Sequence, residues 1–305
     1  MFDDVNDNST VEGYVPLYNH GPKQISTAPV CVEFQVAESE DFSDAACSGK
    51  VYTSSDIDYT IKVEASGLSP FTRYYYKFNV CGSDKSSPVG RTKTAPGPND
   101  YVPEARLAVY SCSNYPFGFF NAYGNPARKD SVDYVLHLGD YYYEYAGTGD
   151  YGYGYSIGRV PAPYGTVIFT LYDYRARLGA YRSDLDLQAS HANFPWIPVW
   201  DDHEVADNTY RDGESYLNNT EDSFVHDGGV STDQRKMNAV RAYFEWYACC
   251  RASCFQASLH VLTIVKDAHP SSRDERQSAH LEKLPDRLAA RHHYARYQAI
   301  RQIYH

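Results

Sequence analysis

The chain has 305 residues, of which 43% are hydrophobic, enough for packed cores and against disorder as the overall state. With 28 basic and 39 acidic residues the formal net charge is −11, which argues against nucleic acid or an anionic membrane surface as the main partner. No apolar run reaches about 18 residues and Met1 does not open a basic-then-apolar leader, so neither a transmembrane segment nor a signal peptide is expected in this chain.

Residues 1–28 read as polar and loop-like, and a first strand is hard to find there. Cys31–Ala37 and Asp58–Glu64 then alternate apolar with polar side chains, as half-buried strands do. Gly67–Phe78 carries Leu68, Pro70, Thr72, Tyr74 and Tyr76 at two-residue steps. That is the spacing of a tyrosine corner, in which a tyrosine hydroxyl bonds back to the backbone as a strand begins. The segment resembles a fibronectin-type-III sandwich, with Ser87–Pro96 as its last strand and residues 97–100 as a linker. Cys31, Cys47 and Cys81 all fall here, so one stays unpaired if two bridge. The sequons at Asn8 and Asn218 lean toward a secretory history.

Three short apolar strands follow, each running into polar residues. Arg106–Tyr110 leads to Cys112, Val132–Leu138 to Asp140 and Tyr143, and Trp196–Trp200 to Asp201-Asp202-His203-Glu204. Helical patterns lie at Leu171–Ala192 and Gln234–Trp246. Open α/β sheets place their sites at the carboxyl ends of the strands. A carboxylate there can bridge two cations. Thiolate and phenolate suit a transition metal such as ferric iron, and further carboxylates suit calcium. Two such ions would hold an anionic oxygen substrate and activate a water, which points to metal-assisted hydrolysis of a phosphate ester. Each part alone has a plainer reading: Cys112 as a small buried hydrophobe, Gly139-Asp140-Tyr141 as an ordinary turn. Four ionisable residues directly after a buried strand are harder to place without solvent, partners or a metal.

Ser111-Cys112, His137–Glu144, Tyr174–Leu178 and Trp200–Val205 together resemble the PhoD-like family of calcineurin-like metallophosphatases. The resemblance covers residues 1–246 and implies a multidomain chain. Its parts are an N-terminal fibronectin-III-like all-β sandwich at 1–97 and the first half of an α/β (αββα) metallophosphatase domain at 104–246. Carried over residue by residue, Cys112, Asp140 and Tyr143 hold Fe3+, Asp140 bridges toward Ca2+, and Asp202 is a second-metal ligand. His203 is the catalytic histidine, stabilising charge or donating a proton to the leaving oxygen. Asp201, Glu204 and Asn208 are expected to support these or to serve as further ligands. The family's substrates are phosphomonoesters and phosphodiesters, small phosphate-ester molecules, and its members are extracellular or cell-wall associated.

The resemblance stops at Trp246. Residues 247–305 hold 9 basic and 5 acidic residues and no glycine, whereas all 20 glycines precede them. The family's late Gly-Asp-x-His element is therefore missing. Cys249, Cys250 and Cys254 have no matching pair for a zinc site, and His292-His293 reads as a chance cluster. A one-base shift at Tyr247 can restore Met-Pro-Val, so the tail is expected to be out of frame and to pack poorly. Two other readings stand beside the phosphoesterase: an inactive fragment or pseudoenzyme that at most binds metal and phosphate, and a binding module in which only the sandwich is autonomous.

Overall fold

The computed structural model describes residues 28–215, 230–247 and, as backbone, 259–264. Both sequons, His292-His293 and nearly all of the expected tail lie outside these residues. The strands are β1 (Val30–Ala37), β2 (Ala45–Thr53), β3 (Thr60–Ala65), β4 (Arg73–Val80), β5 (Gly90–Lys93), β6 (Leu107–Tyr110), β7 (Tyr134–His137), β8 (Trp196–Pro198) and β9 (Leu259–Ile264). The helices are α1 (Asn121–Lys129), α2 (Gly154–Ile157), α3 (Leu171–Tyr181), α4 (Leu185–Asn193) and α5 (Thr232–Trp246). No helix among them is long and apolar enough to cross a membrane.

The first unit is an antiparallel sheet in the order β2-β1-β4-β5, with β3 paired separately to β9. Alternation turns Val32 and Val36 of β1, Ile61 and Val63 of β3, and Tyr74 and Phe78 of β4 into one buried cluster. The Tyr74 hydroxyl accepts the Ser69 N–H at 2.9 Å, the contact that the corner spacing implies. Cys31 and Cys81 form a disulfide across β1 and the end of β4, leaving Cys47 free.

The second unit is a parallel sheet in the order β6-β7-β8, with helices packed on one face. Its core includes Tyr141, Tyr142, Tyr174, Tyr181, Leu178 and Trp246. Among the described residues the opposite face is uncovered: Leu107 and Val109 on β6 and Ile197 on β8 are 49%, 54% and 52% exposed. The two units meet through the Trp246 indole N–H, which donates to Asp58 Oδ2 at 2.8 Å, and through Lys93 on Asp133 at 2.7 Å. Arg73 and Arg91 both reach Asp130.

Several expectations change. β2 is an unforeseen strand; with Gly49 at its centre and a largely exposed course, its sequence lacks the apolar alternation of its neighbours. β3 begins two residues late because Asp58 and Tyr59 take φ of 55° and 53°, a left-handed turn. The last strand shortens to Gly90–Lys93. The helical stretch expected at Leu171–Ala192 is two helices, since the Asp184 carboxylate accepts the N–H groups of Asp186 and Leu187 and starts α4 anew. Tyr247, the first residue of the expected tail, is 2% exposed and stacks on Tyr243 with ring centroids 4.3 Å apart, while the side chains of the rest of the tail lie outside the described residues. Its ring also stands edge-on to Tyr141, extending the aromatic core by one residue.

Candidate metal centre

Parallel strands end on the same edge of their sheet, so the loops after β6, β7 and β8 converge. The pairing runs on past the strands themselves. Leu138 N–H donates to the Tyr110 carbonyl at 2.8 Å, Cys112 N–H to Gly139 at 3.2 Å, and Ser113 N–H to Asp140 at 2.8 Å. At that point the backbone turns sharply, with φ of 57° at Cys112, 101° at Gly139 and 53° at Asp140. A side chain at Gly139 is doubly excluded, since a Cβ would also stand 2.5 Å from the Asp201 nitrogen. Left-handed backbone at Cys112 and Asp140 costs about 1–3 kcal/mol each. Both positions carry chemistry-bearing side chains, so the strain is concentrated where those side chains are aimed.

An Asp140 oxygen, an Asp202 oxygen and a His203 ring nitrogen lie within 4.8 Å of one another. Asp140 Oδ2 accepts from the Cys112 thiol at 3.4 Å and from the Tyr143 hydroxyl at 3.3 Å. Asp140 Oδ1 is buried with no hydrogen-bond partner. Cys112, Asp140, Tyr143, Asp202 and His203 therefore lie together in the structure. Cys112 is exposed, so the cluster opens to solvent.

The three supporting candidates behave differently. Glu204 is a hub: its carboxylate accepts the main-chain N–H groups of Asp140 (3.1 Å), Tyr141 (2.6 Å) and Asp201 (2.7 Å), tying the loop after β8 to the loop after β7. Asn208 donates its main-chain N–H to Asp202 Oδ2 at 2.5 Å and its amide to Asp207 and Ser215. Asp201 contributes its backbone to Glu204, while its carboxylate stays outside the three-residue cluster.

Sequence reasoning passed over Glu144. Buried at 2% exposure, it accepts from His203 Nδ1 at 2.8 Å and from the Asp207 N–H at 2.7 Å. The bond fixes which ring nitrogen of His203 faces the carboxylates: Nδ1 is engaged, leaving Nε2. Glu144 stands at the end of a tyrosine run whose visible signal was the Asp140–Tyr143 spacing. A carboxylate four residues past Asp140 was the clue that remained.

The electrostatics follow. Burial opposes charge on His203, but its hydrogen bond to Glu144 and the Glu144, Asp202 and Asp140 charges outweigh it and lift its pKa from 6.5 to about 9. Burial raises the pKa of Asp140, against the pull of His203 and Cys112. Burial also lifts Glu204 to about 7 in spite of its three N–H donors. Burial and the adjacent Asp140 raise Tyr143, keeping its phenol protonated. His137, on β7 just behind the cluster, is held neutral: burial lowers its pKa to about 4, and its Nε2 sits 3.1 Å from Ser113 Oγ and 3.0 Å from the Tyr123 hydroxyl. Chemically the arrangement offers clustered acidic donors short of positive charge, with one imidazolium at their edge.

A family profile described as "PhoD-like phosphatase" matches residues 107–259, and one described as "PhoD-like phosphatase, N-terminal domain" matches residues 17–96. Alkaline phosphatase D of Bacillus subtilis (strain 168) is 39% identical over 231 residues, covering 75% of this chain and 36% of that protein. A solved structure titled "Structure of PhoD" shares 35% identity at a TM-score of 0.64, covering 76% of this chain and 42% of the other. The chain thus spans well under half the length of the relatives it matches.

Proposed function

Because the chain belongs to the PhoD-like phosphatase family, we propose that its strand-end cluster is the share it carries of a metal-dependent phosphoesterase centre acting on phosphomonoesters and phosphodiesters. The observation that carries the reading is Asp140. Its Oδ1 is buried without a hydrogen-bond partner and burial raises its pKa, as suits a carboxylate shaped to meet a cation. The donor set fits the ions that the resemblance implies. Cys112, Asp140 and Tyr143 would hold ferric iron, and Asp140 and Asp202 would hold calcium. When bound, such ions supply positive charge for the phosphate oxygens and lower the pKa of a water.

The chain's own residues account for the rest. Tyr143 and Cys112 must give up protons to serve as donors, which makes cation uptake release acid. Glu204 fixes the backbone that presents Asp140, and Asn208 fixes Asp202. Glu144 keeps His203 charged near neutral pH and engages Nδ1, leaving Nε2 to donate a proton to the leaving oxygen. His203 lies within reach of the Asp140 and Asp202 oxygens. The fibronectin-III-like reading of the first unit is supported by the Tyr74 corner contact, and an extracellular location by the Cys31–Cys81 disulfide.

A second reading, cation and phosphate binding without turnover, is favoured by the bare face of the β6-β7-β8 sheet, since parallel sheets are normally covered on both sides. One experiment separates the two. The chain is supplied with Fe3+ and Ca2+ and assayed on an aryl phosphate and a bis-aryl phosphate, beside His203→Ala. Turnover that falls about 10²- to 10⁴-fold in His203→Ala supports the phosphoesterase. Cation binding with no turnover above the variant's sinks it in favour of the second reading.

A further inference from the structure

Arg177 of α3 is 0% exposed, and among the described residues it forms no ion pair with a carboxylate. Its guanidinium donates instead to main-chain carbonyls. Nε reaches Ala162 at 2.9 Å, one terminal nitrogen reaches both Tyr143 and Tyr145 (the latter at 2.6 Å), and the other reaches Thr166 at 3.1 Å. Burial lowers its pKa, the mark of a cation held away from water. A buried charge whose hydrogen bonds all go to carbonyls is an expensive way to fill space that an apolar side chain could occupy. What the fork secures is therefore informative.

The two carbonyls that share one nitrogen belong to the residues on either side of Glu144. Residues 143–145 lie in no helix or strand, so no ladder fixes them. Yet each of the three places a side chain at the centre. The Tyr143 hydroxyl meets Asp140 at 3.3 Å, Glu144 meets His203 Nδ1 at 2.8 Å, and the Tyr143 and Tyr145 rings stand 4.3 Å and 5.3 Å from the His203 ring. We propose that Arg177 is a positioning residue for the centre, its planar fork substituting for secondary structure in setting Tyr143, Glu144 and Tyr145 against Asp140 and His203. The inference rests on reading those residues as working ones; its first test does not need turnover.

In the cation-free chain, ring-to-ring nuclear Overhauser effects between His203 and Tyr143 or Tyr145 report the arrangement. The His191–Trp196 pair, with centroids 3.8 Å apart, serves as an internal control. Arg177→Met is expected to abolish the His203 contacts and keep the control. Arg177→Lys, which retains charge and some donors, restores part of them. A folded Arg177→Met that keeps both His203 contacts overturns the proposal. If neither variant folds, hydrogen exchange of the unaltered chain decides. The Arg177 Nε–H and the Asp207 N–H held by Glu144 should exchange through one shared opening. Exchange of Asp207 more than about tenfold faster overturns coupling through Arg177. Where the phosphoesterase is active, kcat of Arg177→Met falls about 10- to 100-fold with KM unchanged. Absence of turnover in the unaltered chain counts against the proposed function and leaves the ring-contact result standing.

Discussion

The two sheets of this chain spend their side chains differently. In the antiparallel unit the inward strand faces close as Val32, Ile61, Tyr74 and Phe78, with the few buried polar groups being threonines such as Thr53, whose hydroxyl donates to the Thr60 carbonyl at 2.8 Å. In the parallel unit one face is sealed by helices, the other is half exposed, and the carboxyl edge gathers two left-handed non-glycine residues, an orphaned carboxylate oxygen and the buried acids Glu144 and Glu204. The first pattern is what stability alone selects. The second carries costs that no packing argument repays, and they accumulate at one edge, which is how strain marks a working site.

The largest effect that sharpens this contrast comes from matched truncations. Phe78→Ala opens the sealed core and should lower unfolding free energy by about 3–5 kcal/mol. Val109→Thr, on the bare face, should stay within about 0.5 kcal/mol and raise solubility. Chemical denaturation of both variants is the measurement. A comparable loss from Val109→Thr would mean that this face is covered in solution.

The next effect reverses sign. Asp140→Asn removes a buried charge whose Oδ1 has no partner, so the cation-free chain should gain about 1–3 kcal/mol. The same variant should lose the stabilisation that Ca2+ gives the unaltered chain, about 2.7 kcal/mol at a hundred times the dissociation constant. Thermal midpoints with and without chelator read both. A stabilised variant that still responds to Ca2+ would place the cation elsewhere.

Much of this edge was legible in the sequence because its signal is local: an apolar run and then metal-competent side chains, three times over. Cys112, Asp140, Asp202 and His203 each lie within about five residues of a strand's carboxyl end, where pattern places them. Glu144 and Arg177 were not legible in that way. Glu144 gains its role from His203, 59 residues away, and Arg177 from carbonyls more than 30 residues distant for Tyr143 and Tyr145. Contacts of that separation leave no spacing to read. The fold shows the same division. β1 and β4 announce themselves by alternation, whereas β2 exists because β1 offers it an edge, its own sequence being short of large apolar residues and interrupted by Gly49. Asp184 was a visible helix start, outweighed by the longer periodicity on both sides of it.

The smallest effect tests whether Glu144 belongs with the costs or with the stabilising contacts. In the cation-free chain the folded pKa of His203 is about 9, against 6.5 for a free imidazole. A raised folded pKa means that protonation favours the native state. The contribution is complete below pH 6.5 and is lost as pH climbs through 9. Glu144→Gln leaves an acceptor for the Asp207 N–H but removes the charge that holds the imidazolium, so the variant should trail the unaltered chain at pH 6 and match it at pH 10. Because water reaches part of the ring, the gap should be no more than about 1 kcal/mol. Urea midpoints across that pH range, with chelator present, measure it. A gap that persists at pH 10 would mean Glu144 acts through packing alone. A gap that closes would make the buried acid a stabilising contact exactly while His203 is charged, the form in which it can serve as an acid.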